Sequence, residues 1–154
     1  MTTSNTVTKT DLANILNEIL PYQRRPWVDF YKSNFTGNNT ETKITGITIN
    51  TNDNTEDCFT IGTDQVTINK AGNYKITITF RLSAVTNTAN VKRITFDVNS
   101  VASVIAMMRL QTWEDCSRTD IRTLSVGDVI NVYSRFEDNN STCEQMRCIV
   151  EYID

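Results

Sequence analysis

The sequence predicts an all-β fold: an antiparallel sandwich of about eight to ten short strands, led by one short amphipathic helix. Three observations predict it. From Trp27 onward apolar residues recur at every second position in run after run. The runs are separated by short clusters of Asn, Thr, Asp and Gly, the residues that make turns. A period of 3.6 occurs clearly once, before Pro21.

The first element is that helix, expected over about residues 10–20. Leu12, Ile15, Leu16, Ile19 and Leu20 fall on one stripe, with Asn14, Asn17 and Glu18 opposite. Thr10 is the expected N-cap, Asp11 suits the positive helix end, and Pro21 stops the helix. About three turns of helix do not persist alone in water, so the stripe must pack, either on its own domain or on a partner. The polar, basic stretch "YQRRP" sets it apart, which favours self-association or docking. Residues 1–26 are therefore read as an anchoring or oligomerisation segment and 27–154 as the head domain. Arg24 and Arg25 read as a solvated connector, with an acidic partner as the alternative.

The head opens with "PWVDFYKSNF" as its first strand; Trp27, Phe30 and Tyr31 belong either to the core or to an oligomer axis. "KITGITIN" follows as a second extended segment, then "CFTI" and "QVTIN". "AGN" makes a turn into "YKITITFRL", which places Tyr74, Ile76, Ile78, Phe80 and Leu82 on one face. "VKRITFDVN" alternates through Ile94, Phe96 and Val98. "SVIAMMRLQTW" reads as a more buried strand, with a helix as the competing assignment because Ala, Met and Leu tolerate helices. "TDIRTL", "DVINVYSRF" and "CIVEYI" complete the set, with "SVGD" and "EDNNST" as turns.

Composition removes many functions. A net charge of −3 offers no broad attraction to phosphate backbones, so nucleic acid is not an expected partner. No window approaches the roughly 20 apolar residues that span a bilayer, and no membrane partner is expected. The first residues lack the charged, apolar and small-residue regions of a secretory leader, which predicts synthesis in a cytosol without export by that route. With no histidine in the chain, imidazole triads, Cys-His pairs and His-ligated metals are ruled out. Phosphate-binding Gly-rich loops and EF-hand spacing are absent, and no cofactor is expected.

Carboxylate chemistry is what remains. Asp29, Asp97, Glu114 and Asp115 are the candidate acids, but no motif ties them together and solvated surface carboxylates are the favoured reading. Asp53, Glu56 and Asp57 could hold calcium in a loop, with a polar turn tip as the favoured alternative. Catalytic and metal residues are accordingly assigned to none. Cys58, Cys116, Cys143 and Cys148 match no metal or redox spacing and read as reduced thiols, with a Cys143–Cys148 bridge across the last turn as the alternative for a protein that ends outside the cell. Asn-x-Ser/Thr triplets at Asn34, Asn38, Asn139 and Asn140 carry little weight in a chain this rich in Asn and Thr.

The run of "VTINKAGNYKITITFRL", "VKRITFDVNS", "TDIRTLSVGDVINVYSRF" and "CEQMRCIVEYID" resembles the C1q/TNF-like jelly-roll family. The matching positions are Ile68, Gly72 and Tyr74, then Val98 and Asn99, then Leu124, Gly127, Asp128 and Val129. Gly72, Tyr74, Gly127 and Asp128 are fold-defining positions, not catalytic ones; Gly72 and Gly127 suit turns of positive φ, and Asp128 can bond its own turn backbone. Where the family has Gly after the hairpin Asn, this chain has Ser100, which leaves that turn's type open.

The resemblance implies a homotrimer around a three-fold axis, with three copies of the N-terminal helix gathered at one end. A small trimeric head with an attachment peptide is similar to bacteriophage virion accessory proteins: capsid decorations, head fibres and receptor-binding tips. The expectation is a non-enzymatic virion protein, made in the host bacterial cytoplasm and held to other virion proteins by its N-terminal segment. A host surface glycan could be met through the loops at residues 36–42, 51–57, 86–90 and 138–142. The alternatives are a C1q/TNF-like cell- or spore-surface ligand or adhesin, and a carbohydrate-active enzyme on a β-sandwich.

Overall fold

The computed structural model describes residues 8–10, 12, 25–51, 57–84, 91–109, 115–138 and 141–153, with backbone only at 84 and 102–109. The strands are β1 (Trp27–Thr36), β2 (Thr42–Lys43), β3 (Thr48–Thr51), β4 (Phe59–Ile61), β5 (Val66–Ile68), β6 (Gly72–Ala84), β7 (Val91–Val98), β8 (Val101–Arg109), β9 (Asp115–Leu124), β10 (Val129–Phe136) and β11 (Thr142–Tyr152). They form two antiparallel sheets: a front sheet in the order β3-β1-β11-β6-β9 and a back sheet in the order β4-β5-β10-β7-β8, with β2 also paired to β10. From β6 to β11 the chain crosses between the sheets repeatedly, the winding of a jelly roll.

The core lies where the inward rows meet. Val28 and Phe30 of β1, Tyr74, Ile76, Ile78, Phe80 and Leu82 of β6, Ile94 and Phe96 of β7, Ile130, Val132 and Phe136 of β10, and Met146 and Val150 of β11 are buried there. Each such side chain contributes on the order of 1.5–3 kcal/mol when fully buried, so the alternation read from the sequence is the main source of stability. At Gly37 the backbone lies so close to the Phe136 ring that any β-carbon would overlap it.

Three segments correct the sequence reading. "KITGITIN" is not one strand: Ile44 bonds Val132 in the back sheet, whereas Ile49 pairs Phe30 in the front sheet. Gly46, at φ 65°, turns the chain between them, and Asp64 Oδ1 accepts the Ile47 amide at 2.7 Å to hold the new direction. β8 is a strand over its length, laddered to β7, so the helix alternative fails. β9 begins at Asp115, four residues before "TDIRTL".

Of the helix expected over about residues 10–20 only Thr10 and Leu12 are described, and the helical turn they belong to opens before the expected Thr10 cap. Lys9, Thr10 and Leu12 are helical and the Leu12 amide donates to the Thr8 carbonyl at 3.1 Å, so the turn begins at Thr8. Leu12 is exposed. Ile15, Leu16, Ile19 and Leu20 lie outside the described residues, as do Asp53, Glu56 and Glu114.

All four cysteines are thiols outside any disulfide; Cys58, Cys143 and Cys148 are buried and Cys116 half-buried. Cys143 and Cys148 do not flank a turn. Both stand on β11, five residues or roughly 16 Å apart along the strand, well beyond the ~7 Å limit for a disulfide. Burial pushes the Cys143 thiol up to about 12, so it stays protonated and unreactive.

The β7–β8 hairpin settles the question raised by Ser100. Asn99 and Ser100 have φ of 52° and 67°, the two positive angles of a type I′ turn, so the turn type is kept without glycine. A side chain at the second position is disfavoured there. Ser100→Gly is expected to stabilise the fold by about 0.5–1 kcal/mol, read as a shift in the urea midpoint with unchanged slope.

Candidate functional site: an assembly face and its supporting turns

The family-like residues converge at one end of the sandwich. Asp128 is the hub: its Oδ2 accepts the Ser125 amide at 2.8 Å and its Oδ1 accepts the Asn99 side-chain amide at 2.8 Å. Asn99 Oδ1 in turn accepts the Val129 amide at 2.8 Å. The Asp128 carbonyl takes the Ile68 amide, and the Gly127 amide donates back to the Ile68 carbonyl. Three chain segments, β5 and the β7–β8 and β9–β10 turns, are thereby joined through one carboxylate and two reciprocal backbone bonds. Gly127 makes its turn at φ 90°, and Gly72 opens β6 opposite Leu124 with φ 157°. Tyr74 is fully buried beside this cluster and donates its hydroxyl to the Lys70 carbonyl at 2.6 Å.

The front sheet's outward face is arranged in registered rows. One row runs Trp27, Glu151, Lys75, Ile121; the next Asp29, Ile149, Thr77, Thr119; then Tyr31, Arg147, Thr79, Ser117; then Ser33, Gln145, Arg81, Asp115. Its charges are paired within the face. Arg147 grips Asp29 through Nε and Nη2, the shortest contact being 2.8 Å, Lys75 meets Glu151 at 3.4 Å, and Arg81 meets Asp115 at 2.7 Å. Hydrogen bonding to Arg81 holds the Asp115 carboxyl below its ordinary range.

Small hydroxyl side chains fill the middle, where Thr77 and Thr119 share a hydrogen bond of 3.0 Å. Apolar surface remains at Ile121, 60% exposed, and along a shallow depression of about 250 Å³ lined by Trp27, Arg147, Ile149 and Glu151. The face is thus electrically balanced and partly apolar, which favours contact with another protein surface. Trp27 and Tyr31 point onto this face; Phe30, the third aromatic of that stretch, is core.

The candidate acids do not assemble. Asp29 and Asp115 stand in β1 and β9 with β11 and β6 between them, about 14 Å of sheet, and each is tied to an arginine. Asp97 is on the other layer. Among the described residues no three acidic or thiol groups are placed to hold a metal ion. Sequence reasoning passed over Lys92, which points inward with 0% side-chain exposure and meets Asp138 at 2.9 Å. Its place in the Ile94–Phe96 row was the available signal.

No protein-family model and no curated protein matches the sequence. Solved structures do match the fold. The phage PRD1 vertex protein P5 superposes with a TM-score of 0.64 at 16% identity over 84% of this chain and 97% of that one. Murine APRIL at pH 8.0 gives 0.59 at 11% identity over 83% and 99%. The globular domain of zebrafish complement 1qA gives 0.54 at 14% identity over 83% and 96%. In architecture the chain is a C1q/TNF-like jelly roll, a fold it shares with murine APRIL, the globular domain of zebrafish complement 1qA and PRD1 vertex protein P5.

Proposed function

We propose that the protein is a non-enzymatic structural or adhesion component of a bacteriophage particle, a homotrimer whose front sheets meet around a three-fold axis and whose first 26 residues attach it to other virion proteins. The observation that carries this reading is the outward face of the front sheet. Its three acid–base pairs cancel, its centre is of small threonines and serine, and its apolar margin is left open. Such a face can meet copies of itself without like-charge repulsion. The likeness to the phage PRD1 vertex protein P5 and to murine APRIL supports a structural or ligand role.

The strand ends give the head a direction. β1 begins and β11 ends at the same pole, where Trp27 is registered with Glu151, so the anchoring segment enters there. Loop 36–42 and the β10–β11 turn lie at the opposite pole, past the registered pair Thr36 and Thr142. They suit recognition of a host surface glycan. The loop after Thr51 leaves β3 beside Val28, at the anchoring pole, and is less suited to that role.

Light scattering of the full chain is expected to give three times the 17.5 kDa chain mass. Thr77→Arg, which sets three new cations around the axis, is expected to give one chain mass while changing the monomer's stability by no more than about 0.5 kcal/mol. A monomeric parent, or a Thr77→Arg protein that stays trimeric, contradicts the assembly. Deletion of residues 1–21 is expected to leave the head folded and abolish attachment to particles. The similarity to murine APRIL also favours a second reading, a surface ligand; there the deletion leaves binding to the target surface intact.

A further inference from the structure

The back sheet carries a recess that neither assembly nor folding uses. On its outward face β7 presents Arg93, Thr95 and Asp97, and β10 presents Asn131, Tyr133 and Arg135, registered pair by pair. Lys43 of β2 stands opposite Tyr133. Glu41, Thr95, Asp97, Ser100 and Tyr133 line a cavity of about 190 Å³. The β7–β8 ladder slips its register between Phe96 and Asp97, an irregularity of the kind that re-aims a side chain.

Although it points outward, Asp97 is only 5% exposed, and Asn131 beside it 7%. The Asn131 side-chain amide holds the Asp97 carboxylate, yet Asp97 Oδ1 and Asn131 Oδ1 have no hydrogen-bond partner among the described residues. Burial accordingly pushes the Asp97 carboxyl up. Buried acceptors without donors are rare in folded proteins, because their desolvation is not offset. One of them, Asp97 Oδ1, belongs to a residue that lines the recess and marks a place where a donor belongs.

The neighbours decide what kind of donor. Glu41 is already committed to Arg93 at 3.0 Å and to the Thr95 hydroxyl at 3.2 Å. A calcium ion needs about six to eight oxygens, and here it would find one free carboxylate beside the Arg93 and Lys43 cations. An anion would face Asp97 and Glu41. A neutral hydroxyl compound suits both, since each hydroxyl donates to an acceptor and accepts from a donor. Burial raises the Tyr133 phenol, which therefore stays protonated and can donate. The volume falls below the roughly 300 Å³ of drug-sized sites, which limits the ligand to a single ring.

We propose that this recess binds one sugar ring, with Asp97 Oδ1 accepting from a ring hydroxyl, the hydroxyls of Tyr133 and Ser100 completing the polar contacts, and the Tyr133 ring forming the wall. This deepens the recognition part of the preceding reading, placing the glycan on the back sheet with only Glu41 drawn from a recognition loop. Being on the layer opposite the assembly face, the recess remains open in a trimer.

The test is amide chemical-shift mapping of the full chain titrated into the millimolar range with the methyl glycosides of glucose, galactose, mannose, N-acetylglucosamine and rhamnose, and separately with calcium chloride. At least one sugar is expected to shift the amides of Thr95, Asp97, Ser100 and Tyr133 with the millimolar affinity that so few ligand atoms allow. Asp97→Asn is expected to weaken that binding about tenfold or more while leaving the melting temperature equal or higher, because the buried charge has gone. Tyr133→Phe should weaken it without unfolding the domain, and Thr77→Arg on the other layer should not weaken it. No shifts with any of the five sugars, shifts elsewhere, shifts indifferent to Asp97→Asn, or calcium displacing the sugar from these amides would overturn the proposal. Light scattering on the same samples keeps the two readings apart: a trimer without sugar shifts defeats only the recess, and a monomer with them defeats only the assembly.

Discussion

Asp138→Asn is expected to cost the fold about 3–5 kcal/mol, because it removes the carboxylate that meets a buried cation. Lys92 enters the sandwich from β7 with no exposed side-chain surface, and Asp138 Oδ2 meets it at 2.9 Å. The carboxylate also accepts the Ser141 hydroxyl at 2.6 Å and the Ser141 amide at 3.1 Å. Burial alone would raise this carboxyl, but the bonds from Ser141 and Lys92 outweigh it and hold it near 2. The double variant Asp138→Asn/Lys92→Met removes both charges and should recover most of the loss, so urea melts of the two singles and the double form a cycle that isolates the pair.

The same pair predicts acid sensitivity. The folded carboxyl titrates near 2, below its unfolded value of about 3.9, so its contribution is fully present above pH about 4. It is lost as pH falls from about 4 through 2, on the order of 2 kcal/mol in all. That component of the acid transition should vanish in the double variant; its persistence there would assign it to other carboxylates.

Tyr74→Ala is expected to destabilise by about 3–5 kcal/mol, a large part of the roughly 5–15 kcal/mol that keeps a domain folded. The ring is fully buried and stands edge-on to Phe59, with centroids 5.9 Å apart, and to Tyr152 at 5.2 Å. Lys70 caps the Tyr152 ring at 4.4 Å while its carbonyl takes the Tyr74 hydroxyl. Tyr74→Phe keeps the ring contacts and forfeits one hydrogen bond, so it should cost only about 1 kcal/mol. Thermal melts of the two variants separate packing from hydrogen bonding, and similar losses in both would refute this account.

The long strands were legible because period-2 burial is a local property. "YKITITFRL" names its inward residues without reference to any partner, and all five are buried. The break at Gly46 was not legible, since Ile44, Ile47 and Ile49 are apolar whichever sheet they join and only the pairing partners separate β2 from β3. Lys92 was missed for a related reason: its counter-ion lies 46 positions along the chain. At the candidate sites, the turn residues Asn99, Gly127 and Asp128 stood out individually, but their joining into one hydrogen-bonded hub depends on two turns and β5 meeting in space. The recess was invisible for the same reason. Asp97 looked like one acid among 18 until the register set it beside Asn131.

The Tyr152 amide donates to the Pro26 carbonyl at 2.9 Å, closing the two ends of the head domain against each other. A reporter or epitope joined directly before Pro26 or after Ile153 would therefore emerge at the pole proposed for attachment and crowd it. Cargo meant for outward display belongs in the far turn between β10 and β11, and the adjacency of the ends favours circular permutation as a way to move the attachment peptide.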